Sequence, residues 1–111
     1  MSQKEPVLCV DFDGVLNNYN GWKGNDELGV PRPWAKEFLE ILSKEYVLYI
    51  FTTRDRKKVV EWLDKYNMSY DYVTDIKVGA VAYIDDRAIT FRGNYEETLK
   101  ELMDFKPYWE F

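Results

Sequence analysis

Residues 7–13 read Val-Leu-Cys-Val-Asp-Phe-Asp, an apolar run that ends in two aspartates one residue apart, with Gly14 directly behind. Such a run reads as a strand buried in a sheet. Its charged end cannot lie in the core, because a buried carboxylate without a partner is costly. The strand therefore delivers Asp11 and Asp13 to an open sheet edge. Two carboxylates so close repel each other unless a proton or a cation sits between them. Hard oxygen ligands suit Mg²⁺, which takes one or two carboxylates and adds waters and substrate phosphate. The motif thus points to Mg²⁺-dependent phosphoryl transfer.

Two further apolar runs end in the same manner. Val47–Thr52 closes on Thr52, followed by Thr53 and Arg54. Val81–Asp85 closes on Asp85, followed by Asp86 and Arg87. These runs are continuous rather than alternating, the pattern of parallel strands covered on both faces. Ala88–Phe91 reads as a short fourth strand. Helical spacing appears at Trp34, Phe38, Ile41 and Leu42 after Pro33, and again at Val59, Trp62, Leu63 and Tyr66 behind Asp55 as N-cap. A third stripe, Tyr95, Leu99, Leu102 and Met103, follows Asn94 and two first-turn glutamates. All three stripes are expected in the core. The alternation predicts an α/β domain with a mainly parallel sheet spanning residues 1–111. Tyr70–Thr74 also resembles a short strand. Too few residues separate it from Val81 for an ordinary parallel crossover, so either it is vestigial or an irregular loop replaces a helix.

In a parallel sheet these strand ends share one edge, where open α/β sheets bind ligands. Asp11, Asp13, Thr52, Asp85 and Asp86 should meet there. Thr53 and Arg54 are placed to touch substrate phosphate, although Arg54 and Arg87 are at least as well placed to pair with the acidic edge, and Lys77 is within reach from its loop. The long stretch Asn17–Arg32, with Tyr19 and Trp22, would hang over the site.

Composition narrows the function. Net charge is −5, with 15 basic against 20 acidic side chains, so tight non-specific nucleic-acid binding is not expected. The single cysteine, Cys9, forms no internal disulfide, which fits a reducing cytoplasm. No segment reads as a signal peptide or a membrane span. The chain has no histidine, which excludes His-activated nucleophiles and His-ligated zinc.

The ordered motifs resemble those of the haloacid dehalogenase superfamily of phosphohydrolases. Asp11-Phe12-Asp13-Gly14-Val15 is similar to the family's first motif, Thr52 to its second, Lys77 to its third and Asp85-Asp86 to its fourth. The usual helix between the third and fourth motifs has no room here, and Val78 stands where many relatives have proline. The resemblance implies a three-layer Rossmannoid fold without a cap domain. It also implies a phosphomonoesterase in which Asp11 is the nucleophile and Asp13 the acid and base. Thr52 and Lys77 would hold the phosphoryl group. Mg²⁺ would be bound by Asp11, the Asp13 carbonyl and Asp85, with Asp86 orienting these ligands or their waters. Lack of a cap implies a large or extended phosphorylated substrate or a nucleotide, with nucleic acid entering only as substrate. The competing reading is a catalytically silent or receiver-like phospho-binding module. The order of motifs argues against a receiver, since the second acidic pair comes last and no lone aspartate ends the Val47–Thr52 run.

Overall fold

The computed structural model describes residues 6–19, 21–24 and 27–110. Four strands, β1 (Val7–Asp11), β2 (Val47–Phe51), β3 (Tyr72–Thr74) and β4 (Ala82–Ile84), form one sheet in the order β3-β2-β1-β4. Every pairing is parallel. Three helices complete the domain: α1 (Ala35–Ser43), α2 (Arg56–Lys65) and α3 (Tyr95–Asp104). None is long and apolar enough to cross a membrane.

The pleat sorts side chains onto two unlike faces. Leu8, Val10, Leu48 and Ile50 point to one face and join Leu39 of α1 and Val59, Trp62 and Leu63 of α2 in a single core. Phe12 and Leu16 extend this core past the end of β1, and Phe12 meets Trp62 edge to face at 4.9 Å. Asp55 caps α2 by accepting from the Lys57 amide, as its position predicts. α1 begins one residue after Trp34, which holds a left-handed backbone (φ 77°) and is 74% exposed. Its buried side is Ala35 and Leu39, with Phe38 and Leu42 half-buried beside them and Ile41 exposed.

The opposite face carries Cys9, Tyr49, Tyr72 and Tyr83 in one register row. The expected helical layer does not close over it. α3 has no buried residue and approaches no other element, so Tyr95, Leu99, Leu102 and Met103 are exposed rather than core. A sequence stripe gives a helix an apolar side but does not fix what covers it.

The strand expected at Tyr70–Thr74 is present as Tyr72–Thr74, hydrogen-bonded to β2 at the sheet edge, and of the two alternatives for its connection the irregular loop in place of a helix is the one found. One further expectation changes: Ala88–Phe91 is irregular. The Arg87 amide turns back to the Asp85 carboxylate at 2.9 Å, and the chain leaves the sheet to wall a cavity instead. The connection from β3 to β4 crosses from one edge strand to the other. It covers roughly 14 Å sideways, three strand spacings, and also returns along the strand length. Residues 75–81 have about 25 Å of reach, too little to make this crossing and also form a helix, and the loop passes beside the tyrosine face, where the Tyr83 hydroxyl donates to the Val78 carbonyl at 2.7 Å.

Candidate active site

Register brings the predicted strand ends together. Asp11 pairs with Phe51, the residue before Thr52, and Val10 pairs with Ile84, the residue before Asp85. Asp11, Asp85 and Asp86 each offer a carboxylate oxygen within 4.8 Å of the others, a group able to hold a metal ion. Asp11 Oδ2 and Asp86 Oδ1 are buried without a hydrogen-bond partner. Native structures rarely leave such atoms orphaned, and a bound ion is one of the few reasons they do. Three carboxylates with no nitrogen or sulfur donor form a hard oxygen set suited to a divalent cation such as Mg²⁺. Burial, followed by the charges of Asp85 and Asp86, pushes the Asp11 carboxyl up to about 8. Without a cation, then, Asp11 is a protonated acid at neutral pH.

Asp13 stands apart from this cluster. Arg54 Nε donates to both of its carboxylate oxygens, at 2.9 and 2.8 Å, and Asn17 Nδ2 donates to Oδ1 at 3.0 Å. The side chains of Arg54 and Asp13 are 1% and 10% exposed. Arg54 is therefore a buried partner of Asp13: of its two sequence readings, the pairing with the acidic edge is the one the structure shows, and the open phosphate contact is not. It reaches further: NH1 donates to the Gly24 carbonyl at 2.6 Å, and the guanidinium lies 4.6 Å from the Trp22 ring centre. The Asn17–Arg32 loop is thereby tied to the floor of the site. Asn17 Nδ2 to the Leu28 carbonyl and Trp62 Nε1 to the Gly29 carbonyl hold it at two more points.

Thr52 is buried, and its Oγ1 accepts from the Arg54 amide at 2.9 Å. Thr53 is exposed. Lys77 is exposed and lines a cavity of about 600 Å³ together with Asp11, Asp85 and Phe51, its Nζ 4.8 Å from the Tyr83 ring centre. The crossing of the 75–81 loop between the two edge strands carries it there.

One set of residues had no sequence signal. Trp109 Nε1 donates to Asp86 Oδ2, and the Tyr108 hydroxyl donates to the Gly14 carbonyl. Gly14 holds a left-handed backbone (φ +83°), and a Cβ there would collide with the Asp86 carboxylate. Gly14 thus makes room for the Asp86 carboxylate.

The chain matches no protein-family model, no curated protein and no solved structure.

Proposed function

We propose that this protein is a Mg²⁺-dependent phosphomonoesterase of the haloacid dehalogenase type, with Asp11 as nucleophile. The observation that carries the reading is the pair of buried, orphaned carboxylate oxygens on Asp11 and Asp86, gathered with Asp85 at the carboxyl edge of a parallel sheet. Asp11, Asp85 and Asp86 would hold the cation, which supplies charge to keep Asp11 ionised and to offset the phosphoryl oxygens.

The chain's own residues divide the remaining work. The Asp11 carboxylate attacks phosphorus in line, forming its bond as the bond to the leaving oxygen breaks. Asp13, once it has taken a proton from solvent as substrate binds, passes that proton to the leaving oxygen. The carboxylate so restored, the form Arg54 holds, then takes one from the water that hydrolyses the aspartyl-phosphate. Arg54 holds the Asp13 carboxylate in place with two short contacts. Lys77, on the cavity wall shared with Asp11, meets the phosphoryl oxygens as a point charge. The Asn17–Arg32 loop is the nearest thing to a cover, so the reading favours large or extended phosphorylated substrates or nucleotides.

Phosphate release from a panel of nucleotides, sugar phosphates, phosphopeptides and end-phosphorylated oligonucleotides, with and without Mg²⁺, tests the reading. At least one substrate should turn over, and only with the cation. A silent binding module would release no phosphate from any of them. On that substrate Lys77→Ala should lower kcat by about 10²-fold with a smaller change in KM, because charge on the transferring oxygens peaks in the transition state. Near wild-type kinetics would place the phosphate cation elsewhere.

A further inference from the structure

Residues 108 and 109 make four separate contacts around the site, one of them with the acidic cluster itself. Trp109 Nε1 donates to Asp86 Oδ2, and the Tyr108 hydroxyl donates to the Gly14 carbonyl. The Trp109 ring meets Tyr19 edge to face at 4.8 Å, and the Arg32 guanidinium lies 5.0 Å from the Tyr108 ring centre. Pro107, just before them, is buried. Residues 107–109 therefore bridge the turn after β1, the end of β4 and the Asn17–Arg32 loop.

This arrangement has a direct consequence for Asp86. Its side chain is 1% exposed, with Arg87 Nε at 3.8 Å from Oδ1. Of its two oxygens, Oδ2 is taken by the indole and Oδ1 has no hydrogen-bond donor. A carboxylate is nearly symmetric, and nothing in its own rotamers chooses which oxygen faces the cluster. A single fixed donor on one oxygen makes the choice. Residues that hold a metal ligand by its second oxygen matter to affinity almost as much as the ligand itself.

We propose that Trp109 is the positioning residue for Asp86: its indole N–H fixes Oδ2 so that Oδ1 is presented to the cation. The C-terminal strap is thereby a working part of the site, with Tyr108 anchoring it to the Gly14 turn. This rests on the cation reading above. Trp109 touches neither substrate nor cation, and its effect passes through Asp86.

The test uses the full chain and Mg²⁺ alone, measured by calorimetric titration, with an independent look at the metal-free contact. In the metal-free protein the Trp109 indole N–H proton, assigned by its loss in Trp109→Phe, should resonate downfield of a free indole and move upfield in Asp86→Ala. In the titration Trp109→Phe, which keeps an aromatic ring and loses the donor, should bind Mg²⁺ about 10- to 100-fold more weakly than wild type. Trp109→Ala should bind no more weakly than Trp109→Phe. A tail that merely packs predicts a lower melting temperature in Trp109→Ala with wild-type Mg²⁺ affinity in Trp109→Phe. That result, or an indole signal indifferent to Asp86→Ala, would overturn the positioning role and leave the phosphatase reading standing. Absence of Mg²⁺ binding in the wild type would overturn the cation site, and the inference with it.

Discussion

Asp11→Asn will lower phosphate release by about 10⁴-fold or more, as loss of a covalent nucleophile does elsewhere. The same substitution will make the metal-free protein more stable at alkaline pH. The folded chain holds the Asp11 proton up to about pH 8, whereas the ordinary carboxyl value is 3.8. The folded state therefore binds the extra proton across that window, and metal-free stability is complete below it and falls as pH rises through it. An asparagine has no proton to lose, so the variant escapes the fall. At pH 8 the gain is on the order of a few kcal/mol, or roughly 10 °C in Tm. Thermal melts in chelator from pH 4.5 to 8.5 measure it. A variant less stable than wild type at pH 8 would mean that the acidic cluster is not electrostatically strained.

The second large effect belongs to Arg54. Arg54→Ala will destabilise the fold by about 3–5 kcal/mol, because Asp13 is left buried and charged without its partner. The Gly24 carbonyl and the Trp22 ring lose their tie in the same step. The double variant Arg54→Ala/Asp13→Ala should be less destabilised than Arg54→Ala alone, since no orphan charge then remains. Urea unfolding of the three variants decides the matter. A loss under about 1 kcal/mol in Arg54→Ala would assign the pair to a solvated surface.

These two residues mark the limits of what the sequence carries. Asp11 was legible because a strand's apolar run and its charged end are local features, and three runs ending alike imply one edge. Asp85 and Asp86 were found on the same logic. The Arg54–Asp13 pair was legible only in part: pairing of Arg54 with the acidic edge was one of its two sequence readings, without Asp13 named as the partner. They lie 41 positions apart, and only the folded register reveals that the guanidinium turns inward. An arginine behind a strand ending in threonine looks the same whether it faces phosphate or carboxylate.

The fold divides likewise. The strands β1 and β2 and the buried side of α2 follow from the apolar pattern, whereas α1 buries Ala35 and Leu39 and leaves Trp34 and Ile41 of its expected stripe exposed. α3 shows the same helical pattern and a sound Asn94 cap, yet its stripe meets no other element. Periodicity sets the shape of a helix and says nothing of its docking. The Ala88–Phe91 segment has strand-forming residues, but the turn anchored on Asp85 directs it away from the sheet. Trp109 and Tyr108 carry no local pattern at all. Their partners lie 23 and 94 positions away, a distance over which only tertiary structure can speak.

The central claim is that Asp11 carries the phosphoryl group as a covalent intermediate. The most direct measurement is to quench a reaction in Mg²⁺ with acid, reduce the protein with borohydride and map its peptides by mass spectrometry. An aspartyl-phosphate is converted to homoserine under these conditions, whereas a free carboxylate is not. The account predicts homoserine at position 11, dependent on both substrate and Mg²⁺. Phosphate release in the wild type with an unmodified Asp11, or homoserine at position 13, 85 or 86 instead, would contradict it.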